Sequence, residues 1–230
     1  MALTLHTARK GFTLVEMLAV LAIIGLLIGI SVPVFNIVGA SRGVRADVMR
    51  LNGVLRLARQ HAIMNRTYTY VVFVGNFPGV LEEHRHRAFA VMEGTAAQPL
   101  TYVTPWHTLS QGSFFVPVEQ TGMPTKEVAF FDVIGPADSR SVTVPYPETV
   151  GGSPRDLFAM QFRPDGRVRY LNRDRNEWRT PGGLYISVAP GFINEVTGDV
   201  IIPDANRNRT GRVEIHGRTG TSKVRYDPRT

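Results

Sequence analysis

Three short stretches of this 230-residue chain carry residue types that could do chemistry. Gly39-Ala40-Ser41-Arg42-Gly43 has the G-x-S-x-G spacing of a hydrolase nucleophile. Such a serine needs a strand before it and a helix after it. Here it closes a long apolar run that reads as helix, so a hydrolase serine is set aside. Glu82-Glu83-His84-Arg85-His86 puts two imidazoles beside two carboxylates. Zinc would need a third and a fourth ligand, and the neighbouring arginine opposes a cation, so a polar loop is the better reading. Asp204-x-Asn206-x-Asn208 spaces oxygen ligands like the start of a calcium loop. The sixth position is Arg209 rather than glycine and the twelfth is Ile215 rather than glutamate. Even with Asp199 and Glu214 as further oxygen donors, a surface turn is favoured over calcium. There is no cysteine, so disulfide and thiolate chemistry are excluded. No triad, phosphate loop or paired-carboxylate site remains, and neither an enzyme activity nor a cofactor is expected.

Arginine supplies most of the net charge of +7. One cluster runs Arg163, Arg167, Arg169, Arg173, Arg175, Arg179 with Tyr170 and Trp178 interleaved, and basic residues recur from Arg207 to Arg229. Clustered arginines can neutralise phosphates and aromatic rings can stack on bases. Arg167, Arg169, Arg212 and Arg218 are the candidate nucleic-acid contacts on that reading. A solvated basic surface is the simpler one, and nucleic acid is not the favoured partner.

The elements that would position any site begin with the N-terminus. From Met17 to Gly29 every residue is apolar or glycine, and no charge occurs from Met17 to Ala40. At about 1.5 Å per residue such a helix spans a hydrocarbon core about 30 Å thick. Arg9 and Lys10 precede it, which keeps the leader cytoplasmic and translocates the rest. A secretory signal would end in a small-residue cleavage site after its apolar core. Here Gly11-Phe12 sits before the core instead. Glu16 is a carboxylate at the edge of that helix, costly unless paired and therefore a functional candidate. Thr13-x-x-Glu16 also fits a capping box. Gly25-x-x-x-Gly29 would let another helix approach closely, and Pro33 should kink the helix.

Lys10-Gly11-Phe12-Thr13-Leu14-Val15-Glu16 followed by the apolar run resembles the prepilin signal of type IV pilins and type II secretion pseudopilins. The resemblance implies cleavage after Gly11 by prepilin peptidase and N-methylation of Phe12. It implies that Glu16 neutralises the new amine of a neighbouring subunit during assembly. The expected partners are other pilin or pseudopilin subunits, the inner membrane and its assembly platform. The expected location is the bacterial inner membrane, single-pass, with the C-terminal domain periplasmic and built into a fibre.

Beyond the apolar run, Val44, Val48, Leu51, Leu55, Ala58 and Ala62 recur at steps of four and three. That is the stripe of an amphipathic helix. Arg42, Arg45, Arg50, Arg56, Arg59 and Arg66 surround it and read as a solvated face. Leu55-Arg56-Leu57-Ala58-Arg59-Gln60-His61-Ala62-Ile63 resembles the run before the first strand of H-type minor pseudopilins, and Phe162 to Arg169 resembles their F-x-P-x-G segment. Gly166-Arg167-Val168-Arg169 is similar to the G-R-x-R motif of DNA-binding minor pilins. After Arg66 the period changes. Strands are expected at Thr67–Val74, Ala88–Met92, Val128–Ile134, Leu157–Phe162, Val168–Leu171, Leu184–Val188, Arg212–Ile215 and Lys223–Tyr226. Pro164-Asp165-Gly166 signals a hairpin turn, and residues 135–156 read as a long loop. The expected class is α+β: a long N-terminal transmembrane helix packed on a pilin-like, β-rich domain of antiparallel sheets. The expected divisions are 1–11 leader, 12–40 membrane and filament-core helix, 41–66 amphipathic extension, and 67–230 periplasmic domain.

Overall fold

A computed structural model of the chain describes residues 14–95, 100–116, 128–129, 142–147, 152–172, 177–179 and 182–226. Its one long helix, α1, runs Leu14–Met64. Among the described residues the strands are β1 (Thr69–Phe73), β2 (Ala88–Glu93), β3 (Thr101–Tyr102), β4 (His107–Thr108), β5 (Ser113–Val116), β6 (Val128–Ala129), β7 (Val142–Tyr146), β8 (Ser153–Phe162), β9 (Val168–Asn172), β10 (Glu177–Arg179), β11 (Gly183–Pro190), β12 (Phe192–Ile193), β13 (Val200–Ile201), β14 (Gly211–His216) and β15 (Ser222–Tyr226). The chain divides into two compact units, residues 1–39 and 40–230.

In the second unit the strands form two sheets and a ribbon. The larger sheet has the order β10-β9-β8-β1-β2-β3, with β4 also on β2 and β7 also on β8. The smaller has the order β15-β14-β11-β5, with β6 joining β11, and β12 pairs β13. All pairings are antiparallel except that of β6 with β11, which is parallel. The class is α+β, as the change from a helical period to a strand period requires.

The stripe of the helix is the axis of the core. Val48, Leu51, Leu55, Ala58 and Ala62 are fully buried. They meet Val71, Phe73, Phe89, Val91, Met160 and Phe162 of the larger sheet and Leu184, Ile186, Val188, Val213 and Ile215 of the smaller one. Burying each leucine contributes roughly 1.5–3 kcal/mol. β1 is buried on both faces, because alternate side chains of a strand point opposite ways. Its Tyr70 and Val72 enter a second cluster with Ala88, Ala90, Met92, Val144 and Tyr146. That cluster explains why β1 reads as a continuous apolar run rather than an alternating one.

The helix stops two residues before the expected end. Thr67 N–H donates to Ala62 C=O at 3.2 Å and Arg66 takes φ +52°, which is a Schellman-type stop with a non-glycine residue in the left-handed region. The expected loop at 135–156 is corrected: it holds β7 and the start of β8. Val144 and Tyr146 alternate into the second cluster, and Thr143 Oγ1 donates to Asp156 Oδ1 at 2.6 Å. Pro145 lies opposite Pro154 in this pair. They are tolerated because, among the described residues, β7 pairs with β8 alone and β1 meets β8 only from Phe158 to Phe162, so neither proline faces a second ladder. Of the expected strand Val128–Ile134, Val128–Ala129 is described and the remainder lies outside the described residues.

Candidate functional site

The N-terminal unit sets the first site. Gly11, Phe12 and Thr13 lie outside the described residues. α1 begins at Leu14, with Glu16 in its first turn. A carboxylate there faces the positive end of the helix dipole, a stabilising placement even before any partner is added. Leu14, Val15, Met17, Leu18, Val20, Leu21, Ile23 and Ile24 are all exposed, from 46% to 76%. A helix apolar on every side cannot be satisfied by one packed face. The helix continues through Pro33.

The second unit holds its part of α1 with polar contacts as well as the apolar stripe. Asp47 is buried, and its two carboxylate oxygens accept the Ser110 N–H at 3.0 Å while Oδ1 also accepts the Ser110 hydroxyl at 2.9 Å. Gly43 makes room for this loop, since a Cβ there would lie 3.3 Å from the Ser110 Cβ. That accounts for one glycine of the G-x-S-x-G spacing by packing. Arg50 Nη1 donates to the Thr108 carbonyl at 3.1 Å. Asn52 Oδ1 accepts the Ser222 hydroxyl at 2.7 Å. Arg59 Nε donates to the Thr219 carbonyl at 2.7 Å. His61 Nε2 meets Glu93 Oε2 at 2.7 Å. The Arg45 guanidinium lies 5.4 Å from the centre of the Tyr226 ring.

Arg45 and Arg50 are exposed, as a solvated face requires, and Arg59 is half-buried; all three also fasten the helix to strands and turns of both sheets. These partners lie far apart in sequence, and nothing local announced them. Asp47 was the one legible signal: a carboxylate flanking the apolar stripe, which burial obliges to be hydrogen-bonded.

The other sequence candidates fall in separate places. His84 and His86 diverge. His84 is buried, its Nδ1 2.9 Å from the Tyr146 hydroxyl. His86 Nε2 donates to the Gly198 carbonyl at 3.1 Å. Burial lowers both imidazole pKa values, opposed at His84 by Glu83 and at His86 by the Gly198 carbonyl. Asp204 and Asn206 lie on a 3₁₀ turn, Asp204–Arg209, together with Asn208. A 3₁₀ turn is not the extended loop that wraps a calcium ion. Among the described residues no group of three or more His, Asp or Glu comes together to hold a metal.

Arg167 lies just before β9 and Arg169 at its start, Arg212 in β14 and Arg218 in the turn after β14. Arg212 Nη2 pairs with Glu214 Oε1 at 2.9 Å and lies over Tyr185, while Arg225 takes the other oxygen of Glu214 at 2.7 Å. Arg169 lies in β9 opposite Gln161. The turns carrying Arg167 and Arg218 do meet. A Cβ on Gly220 would lie 2.1 Å from the Gly166 carbonyl oxygen, and Val168 N–H donates to the Gly217 carbonyl at 2.8 Å. Arg173 and Arg175 lie outside the described residues.

Residues 6–32 match the family described as the prokaryotic N-terminal methylation motif. No curated protein matches the chain, and no solved structure does. The motif supports a type IV pilin-like or pseudopilin subunit processed by prepilin peptidase and associated with other pilin subunits. Among the described residues no helix is long and apolar enough to cross a membrane. The apolar run from Met17 to Ala40 lies only partly among residues with described side chains, which end at Ile24.

Proposed function

We propose that the chain is a minor pseudopilin or pilin-like structural subunit of an envelope-spanning fibre, of the type II secretion or type IV pilus kind. Prepilin peptidase cuts after Gly11 and Phe12 becomes the methylated N-terminus. Residues 12–40 anchor the subunit in the inner membrane as a single pass and then enter the fibre core. Residues 41–66 extend that helix, and residues 67–230 stand in the periplasm. The assembly platform of the membrane draws subunits into the fibre, and Glu16 sets register by neutralising the amine of a neighbour.

The observation that carries this is the match at residues 6–32 at the head of a helix whose Leu14–Ile24 stretch exposes apolar side chains all round. The chemistry of the subunit is done to it, by a peptidase and a methyl donor, and its own task is packing. The latches from Arg45 to His61 suit that task, because a pull on the helix reaches both sheets through them. A duplex-binding role built on Arg212 finds no support, since that guanidinium is engaged by Glu214.

The test is the intact mass of the protein recovered from membranes, with and without co-expressed prepilin peptidase. Loss of residues 1–11 and gain of one methyl group is the expected result. A chain left whole, or cut after the apolar run, would remove the proposal. Glu16→Ala should leave that cleavage intact and impair fibre assembly. Normal fibres from this variant would sink the role given to Glu16.

A further inference from the structure

At the C-terminal end of α1 an open groove of about 450 Å³ runs between the helix and the turn joining β14 to β15. Arg56, Arg59, Gln60 and Ile63 line one side, and Thr221 and Ser222 the other. Among the described residues no carboxylate lines it. Arg59 is held in place: its Nε donates to the Thr219 carbonyl, and its guanidinium lies against both Gly166 and Gly220. One turn earlier on the same helix face, Arg56 is exposed and has no ion-pair or hydrogen-bond partner among the described residues. Residues three apart on a helix are neighbours, so one fixed guanidinium and one unengaged guanidinium face the same space. Two more arginines, Arg163 and Arg167, approach on the adjoining turn and share the single carboxylate Asp165, at 3.6 and 3.8 Å. The local balance is strongly positive. The groove also has an apolar part, where Ile63 and Met64 are 38% and 71% exposed.

We propose that this groove is a docking site for an acidic peptide segment of a partner protein, a carboxylate seated between Arg56 and Arg59 and an apolar side chain against Ile63 and Met64. Guanidinium forks match carboxylates in a bidentate way. Nucleic acid is the poorer fit. Among the described residues no aromatic side chain lines the groove, so unstacked bases have no platform there. A concave slot of this volume takes a few peptide side chains, whereas a duplex needs a broad surface following its phosphates. The site does not depend on the fibre role, because it lies wholly within the unit formed by residues 40–230.

The experiment uses the full-length chain in detergent micelles and three fluorescent probes: a peptide of alternating glutamate and leucine, the same peptide with glutamine for glutamate, and a short DNA duplex. Anisotropy should show the glutamate peptide bound at least about tenfold more tightly than the glutamine peptide, since charge-assisted hydrogen bonds are lost in the latter. Arg56→Gln should weaken the glutamate peptide by about tenfold and leave the melting temperature unchanged, as its side chain is exposed and unpartnered. Absence of peptide binding, equal binding of the two peptides, or binding indifferent to Arg56→Gln would overturn the proposal. Tighter binding of the duplex than of the peptide, with the same dependence on Arg56, would overturn it in favour of nucleic acid.

Discussion

Leu18 and Leu21 in the N-terminal unit are 59% and 64% exposed, whereas Leu51 and Leu55 in the second unit are fully buried. All four belong to α1 and have the same helical conformation. The difference lies in what surrounds them in sequence. Between Leu14 and Ile24 apolar residues point in every direction. Between Val44 and Ala62 the buried apolar residues recur at steps of three and four. A stripe can be buried by the protein's own sheets. A helix apolar all round needs lipid or other helices, which is what the proposed fibre role would use.

The largest effect should come from exchanging the same atoms in the two regions. Leu51→Ala is expected to destabilise the domain by roughly 3 kcal/mol, the transfer and cavity cost of a buried leucine. Leu21→Ala should leave urea unfolding of the domain within about 0.5 kcal/mol of the parent. Equal effects would break the comparison. Asp47→Ala sharpens it from the polar side. It strips the Ser110 N–H and hydroxyl of their acceptor in a buried setting, at about 2–3 kcal/mol, read from the same unfolding curves.

Gly220→Ala should lower stability by about 1–3 kcal/mol. Its φ is +65° and the new Cβ would collide with the Gly166 carbonyl, so a loss of melting temperature reports the junction of the two sheets. The smallest effect per step is that of pH. Burial is the largest cause lowering the pKa of His84, His86 and His107, helped at His107 by Arg50. The unfolded chain therefore binds protons at higher pH than the folded one. Stability should be full above the ordinary histidine range and fall as pH drops below about 6.5, by at most about 1.4 kcal/mol per pH unit for each histidine. Between Leu14 and Gly39 only Glu16 titrates, so the effect reads the domain. Urea midpoints at pH 7.5 and 5.5 check it, and equal midpoints would contradict the burial of these rings.

Much of the fold was legible because it is periodic. The stripe from Val44 to Ala62 is buried residue by residue, and the Pro164-Asp165-Gly166 turn joins β8 to β9 as its residues require. β7 escaped notice because Pro145 and Pro154 suggest a loop, and only the pairing of two edge segments makes both acceptable. β3, β4, β12 and β13 have two residues each, too few to carry a period. Among the site residues, the motif around Gly11, Phe12 and Glu16 is contiguous and stands in the sequence. The groove is not contiguous. Arg56 and Ser222 meet only because β15 returns beside the helix.

The sequence by itself determined where the helix is apolar on all sides, where it is apolar on one face, and where the chain turns to strands. Those properties follow from side-chain chemistry at fixed spacing along the backbone. The tertiary structure alone decided which arginines are engaged and which remain available. Arg50 and Arg59 are held by carbonyls brought from distant segments, while Arg56 is left open to a groove. The charge of a guanidinium is set by its type, but its partner is set by what folding places within about 3 Å of it.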